Sequence, residues 1–290
     1  RQVGTYQGKA AFARQGCCND GRISHTRSAF SDKPPQRHVA GGFSFVGHVL
    51  GVVPRFTGSP MTLLSQLPNF DPRQMPVLAV DDHLPAVPAQ ALAPQALRQR
   101  FAAPPSWQAE ILRERSFVEP REPADAAVLV ALVLRDEPMV LLTERTAHLS
   151  NHSGQVAFPG GRADEGDGGP AGTALREAQE EVGLDPHWVE VLGQLPLYAT
   201  GSAFMVTPVV GLVAPGFQLR PNAYEVADVF EVPLSYLMNP AHHRRHAYEG
   251  DGIRREWFSM PYRNPVTGKE HFIWGATAGM LRNFYRFLSA

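Results

Sequence analysis

Cysteine is nearly absent: the 290-residue chain has two, Cys17 and Cys18, and none from Asn19 onward. Adjacent cysteines are poorly placed to bridge each other, because a disulfide needs a particular separation and dihedral. A disulfide scaffold, a cysteine-ligated zinc and a cysteine nucleophile are therefore excluded after residue 19, and a reducing compartment, by default the cytoplasm, is expected. Net charge is also small. At −1 it gives no bulk attraction to nucleic acid or to a membrane surface, so any polyanion has to be met locally. Acids are scarce over the first sixty residues, where only Asp20 and Asp32 occur, and no helical or strand periodicity persists there. The first methionine is Met61, so residues 1–60 read as a disordered or non-native leader. The rival is a mitochondrial presequence, which is Arg-rich and acid-poor. The apolar patch Ala40–Val53 is interrupted by His48 and glycines and is too short to span a bilayer. Neither a G-x-S-x-G elbow nor a P-loop occurs, which removes serine-hydrolase and ATPase readings.

What is present can build a core, with 43% hydrophobic residues. Residues 61–125 are studded with proline and allow only short helices, at Gln95–Ala102 and Trp107–Arg115. They form an extension expected to lie against the main domain, residues 126–290. That domain opens with Ala126–Leu134, a continuous apolar run suited to a strand buried on both faces. A turn at Arg135–Pro138 and a second strand, Met139–Thr143, complete a hairpin. Further strand-like runs are Trp188–Tyr198, Met205–Val213, Val226–Pro233 and a short His271–Ile273. The last helix spaces Trp274, Ala278, Leu281, Tyr285 and Leu288 at threes and fours, an apolar stripe that packs on a sheet. These periodicities imply an α+β fold with a mixed sheet.

The chemistry concentrates in Gly161–Leu184. Glu177, Glu180 and Glu181 are spaced to converge on one side of a helix. Like charges at that spacing repel, and oxygen ligands in a cluster suit a hard cation such as Mg²⁺; the bland alternative is a solvated acidic face. His242, His243 and His246, interleaved with Arg244 and Arg245, match no helical metal motif and read as a basic surface loop. The helix start near Pro170–Thr173 suits an anion, or a cap at Thr173.

The run Arg176-Glu177-Ala178-Gln179-Glu180-Glu181-Val182-Gly183-Leu184 resembles the second half of the Nudix box, G-x5-E-x7-R-E-U-x-E-E-x-G-U with U aliphatic. Every fixed position from Arg176 onward matches. The first half departs by one extra residue, with Gly161 as the opening glycine and Asp164, Glu165 and Asp167 as the nearby acids. Residues 141–161, LLTERTAHLSNHSGQVAFPGG, are similar to the segment preceding the box in the coenzyme A pyrophosphatase branch, L-L-T-x-R-[SA]-x3-R-x3-G-x3-F-P-G-G. Thr146 replaces Ser or Ala there, and Ser150 replaces the second arginine, with Arg145, His148, His152 and Arg162 near enough in sequence to supply charge instead.

The resemblance implies a Nudix α/β/α sandwich and Mg²⁺-dependent pyrophosphate hydrolysis, with Mn²⁺ as the alternative ion. It implies metal ligands at Glu177, Glu180, Glu181, the Gly161 carbonyl and, from a distant loop, Glu225. Arg176 is expected to orient a box glutamate within the catalytic set Glu177, Glu180, Glu181 and Arg176. Substrate contacts are expected from Arg145, Phe158, Gly160 and Arg162. The expected substrate is coenzyme A or an acyl-CoA, with ADP-ribose or NADH as the rival and a non-catalytic nucleotide-sensing module as a reading of another class. The expected partner is thus a small nucleotide, not nucleic acid or a membrane, in a monomer or homodimer.

Overall fold

The computed structural model describes residues 70–111, 122–148, 154–250 and 253–290, all within the second of the chain's two units, Phe56–Ala290. The expected leader 1–60, Ser150 and His152 lie outside the described residues. In chain order the elements are β1 (Val77–Val80), α1 (Pro94–Ala102), β2 (Ala124–Leu134), β3 (Pro138–Arg145), β4 (Val156–Ala157), β5 (Gly160–Arg162) and α2 (Pro170–Val182). There follow β6 (Val189–Gln194), β7 (Tyr198–Ala199), β8 (Phe204–Val213), β9 (Val226–Pro233), α3 (Leu234–Leu237), β10 (Arg244–Gly250), β11 (Ile253–Arg263), β12 (Glu270–Trp274) and α4 (Gly275–Ser289).

The apolar run becomes the central strand. β2 runs parallel to β8, from Ala124 opposite Phe204 to Val133 opposite Val213, and antiparallel to β3 and β5. The sheet order is β4-β3-β2-β8-β6, with β9 on the far side of β3. Side chains alternate across a strand, so Ala127, Leu129, Ala131 and Val133 meet Ala174, Ala178 and Val182 of α2. Val130 and Leu132 go to the other face, where Leu281 and Phe284 of α4 cover them. This is the expected mixed sheet between helices. Each fully buried Leu or Val contributes about 1.5–3 kcal/mol, so the two-sided burial of β2 anchors everything hung on it.

α2 starts with Pro170, whose missing N–H costs nothing in a first turn, and stops at Gly183. Gly183 is left-handed (φ 71°), and a β-carbon there would stand 2.8 Å from the Arg220 nitrogen. Such a close approach in αL geometry is one only glycine makes easily. The Arg220 amide then bonds the Val182 carbonyl at 2.8 Å, and Asn222 N–H bonds the Glu181 carbonyl at 2.8 Å, which ties the following loop to the helix end.

Three expectations are corrected. Trp188–Tyr198 is not one strand: Pro186–Trp188 is a 3₁₀ turn, β6 ends at Gln194, and a separate short strand, β7, begins at Tyr198. Pro196, with no N–H to donate, sits in the break. Trp107–Ile111 is not helical, because the amides of Glu110 and Ile111 both donate to Asn283 Oδ1 at 3.0 Å; residues 112–115 of that expected helix lie outside the described residues. The basic surface loop is overturned as well. His243 and His246 are buried, at 0% and 3% exposure, and Arg244–Gly250 is a strand of a second sheet ordered β1-β10-β11-β12.

That second sheet is knit to residues 70–111 by charge. Asp81 is held by Arg245 (2.9 Å) and Arg282 (3.0 Å), and Glu110 by the same two arginines at 2.8 and 2.7 Å. Arg282 is 1% exposed, so its charge is tolerable only because both acids meet it. His243 completes the cluster: its Nε2 donates to the Leu237 carbonyl at 2.7 Å, which leaves Nδ1 to accept from Arg282 at 3.1 Å.

Candidate active site

The three glutamates of α2 do not share one environment. Glu181 is 7% exposed and accepts from the Gly160 amide at 3.2 Å, with Arg145 Nη1 3.6 Å away. Glu177 is 17% exposed and lies against Gly161, where a β-carbon would stand 2.5 Å from its carboxylate. Glu180 is 61% exposed. Residues 177 and 181 thus face Gly160 and Gly161 of β5, whereas Glu180 points toward solvent.

Arg176 joins the loop to the helix. Its Nε and Nη2 reach the two oxygens of Asp167 at 2.7 and 3.0 Å, and its Nη1 donates to Glu177 and to Glu180, each at 3.0 Å. Nη2 also bonds the Arg162 carbonyl at 2.9 Å. Asp167 accepts further from Thr173 Oγ1 and the Asp164 amide, both at 2.8 Å. Thr173 therefore ties the loop acid to the helix instead of capping it, and the cap position is Gly169. The Arg176 hydrogen bonds hold Asp167 well below the usual carboxylate range. Asp167 stands six places after Gly161, where the box glutamate belongs by count, so the extra residue falls between Asp167 and Arg176. The spacing from Gly161 contained that signal, and the pairing with Arg176 agrees with it.

The electrostatics fit a cation. Burial pushes the Glu181 carboxyl up to about 7, with the charges of Glu177 and Glu225 adding to it and the Gly160 N–H and Arg145 opposing. Glu177 is raised too, first by burial and then by Glu180 and Glu225, against Arg176. Glu225 precedes β9 on a turn whose carbonyl accepts the Thr146 amide at 2.9 Å, and this brings its charge to bear on both helix glutamates. Glu177 and Glu181 are thus partly buried carboxylates that repel each other, feel the charge of Glu225 and are incompletely neutralised by Arg145 and Arg176, and carboxylate oxygens are the donors a hard divalent ion prefers.

The remaining expected residues divide. Arg145 reaches the cluster. Gly160 contributes its amide, and a β-carbon on it would collide with Ala127 and Val128. Arg162 is exposed and contributes its carbonyl. Phe158, expected at the substrate, is 3% exposed and packs in the core. His148 and Tyr224, which the sequence did not single out together, stand ring to ring at 4.9 Å beside Glu225.

A second acidic group, Glu144, Asp228 and His271, has ligand atoms within 4.8 Å of one another. Lys269 Nζ sits between its carboxylates at 2.9 and 2.8 Å, so the cation there is an ammonium. Alternation along β3 places Glu144 on the opposite face from Arg145.

A mixed sheet between two helices, with one helix presenting glutamates to a Gly-Gly strand, is the architecture of a Nudix hydrolase. The family model described as the NUDIX domain matches residues 123–259. Over 174 residues the chain is 40% identical to the "Uncharacterized Nudix hydrolase NudL" of Shigella flexneri, covering 60% of this chain and 87% of that protein, and equally to NudL of Escherichia coli K12. The chain belongs to the Nudix hydrolase family. Solved structures similar to it include a MutT/nudix family protein from Enterococcus faecalis (16% identity, 68% of this chain and 75% of that one, TM-score 0.36) and the Nudix hydrolase RenU from M. smegmatis (23%, 44% and 80%, 0.35).

Proposed function

We propose that the protein is a Mg²⁺-dependent pyrophosphatase that splits coenzyme A or an acyl-CoA into 3′,5′-ADP and 4′-phosphopantetheine or its acyl form. One observation supports this above others. Arg145 and Gly160 stand near the two ends of the segment that resembles the coenzyme A branch, and both meet Glu181, at 3.6 and 3.2 Å. Arg145 and Gly160 of that segment therefore border the carboxylate cluster, where our reading puts the substrate's diphosphate.

Mg²⁺ held by Glu177 and Glu181, with Glu180, Glu225 and the Gly161 carbonyl as further oxygen donors, would supply charge neutralisation at the diphosphate and a more acidic water. The chain's own groups do the rest. Arg176 fixes Glu177, the Gly160 amide fixes Glu181, and Arg145 offers a guanidinium to a phosphate oxygen. A carboxylate of the cluster, Glu177 in our reading, takes the proton of the attacking water as its oxygen bonds to phosphorus and the bridging P–O bond breaks.

The rival substrates, ADP-ribose and NADH, are favoured by Ser150 standing where that branch carries arginine. A sensing module has no use for Glu177, Glu180 and Glu181 all retained. The deciding experiment incubates the protein with Mg²⁺ and CoA, acetyl-CoA, ADP-ribose or NADH and identifies products by mass. Fastest production of 3′,5′-ADP supports the proposal; turnover of ADP-ribose or NADH alone transfers it to the rival.

A further inference from the structure

We propose that Tyr224 is a stacking platform for the base of the nucleotide substrate. The inference rests on reading the carboxylate cluster as the place where a nucleoside diphosphate binds. A lone exposed tyrosine needs no explanation, but this one is 66% exposed on a turn pinned from several sides. Its carbonyl accepts Thr146 Oγ1 at 2.8 Å and its amide donates to Asn222 Oδ1 at 3.1 Å. Asn222 is bound to the Glu181 carbonyl, and Thr146 N–H to the Glu225 carbonyl. The turn is thus fastened to the end of α2 and to the end of β3, the two elements that supply Glu181 and Arg145.

Tyr224 is also the immediate neighbour of Glu225, whose charge acts on Glu177 and Glu181. The Tyr224 ring is thus carried on the same fastened turn as Glu225, with little left to order when a base arrives. The His148 ring stands against Tyr224 at 4.9 Å, tilted by 57°, so the two rings make a corner and not a closed stack. Every nucleobase has a π-face that can settle on such a ring, and aromatic side chains gain large buried area on being covered.

The test is equilibrium binding, by calorimetry with Mg²⁺ present, of ADP and of inorganic pyrophosphate to the full chain and to Tyr224→Ala, Tyr224→Leu and Tyr224→Trp. Losing one base–aromatic stack should weaken ADP about tenfold in the alanine and leucine variants, leave pyrophosphate within about twofold, and spare ADP in the tryptophan variant. The leucine variant keeps apolar bulk on the turn, and melting temperatures identify any variant that fails to fold. Equal weakening of ADP and pyrophosphate in a folded variant, no weakening of either, or no ADP binding to the parent protein would overturn the platform. Turnover is not the readout, so a failure to hydrolyse CoA would count against the proposed substrate alone.

Discussion

Arg176 and Asp167 form a two-point guanidinium–carboxylate pair, 2.7 and 3.0 Å, that leaves the remaining nitrogen of the fork free for Glu177 and Glu180. The pair fixes the glycine-rich loop and the helix as one body. Arg176→Lys cannot reproduce a planar fork and should lower kcat at least tenfold with little change in KM, as should Asp167→Asn. Steady-state kinetics check this; a wild-type kcat in both would show that the glutamates are oriented by something else.

Glu177→Gln and Glu181→Gln should each reduce metal-dependent turnover by ~10²-fold or more, and Glu180→Gln, at an exposed site, by less. Equal losses at all three positions would contradict the division seen between buried and exposed glutamates.

Without divalent ions, Glu181 should make the protein less stable as pH rises. Its folded pKa of about 7 lies above its ordinary 4.5, so between those values the folded state binds more protons than the unfolded one. The melting temperature should fall across that window, Glu181→Gln should flatten the fall, and Mg²⁺ should reverse it.

His243 gives the opposite slope. Burial, with Arg282 adding, depresses it from 6.5 to about 4, so its contribution is full above pH 6.5 and is lost as the pH falls toward 4. Asp81 and Glu110 act in the same direction, since their arginine partners outweigh burial and lower both. Acid titration of stability should be shallower in His243→Gln, whose amide can still accept from Arg282 and donate to Leu237.

Gly161→Ala places a methyl 2.5 Å from the Glu177 carboxylate. Activity should drop by tenfold or more while the melting temperature moves little, because the carboxylate can swing away from the methyl. An alanine variant of wild-type activity would show that the close approach of Gly161 to Glu177 is not needed for turnover.

The helix with its glutamates, the central strand and the closing helix were legible because each is a local pattern: charge at i, i+3 and i+4, nine apolar residues in a row, an apolar stripe at threes and fours. The Phe158–Gly161 segment was legible as a motif. What could not be read locally is partnership. Glu180 and Glu181 are neighbours in the chain, and only the rotation of α2 against β5 makes one exposed and the other buried. Asp164, Glu165 and Asp167 lie within four residues of one another, and the bidentate pair with Arg176 goes to Asp167. The histidine and arginine run His242–His246 looks solvated by composition, yet His243 and His246 are buried, Arg244–His246 pairs with β11, and Arg245 is met by Asp81 and Glu110, more than 130 positions away in sequence. Phe158 looked like a substrate contact and is core. Composition and spacing determined which chemistry the chain can do; distances between segments far apart in sequence decided which residues are placed to do it.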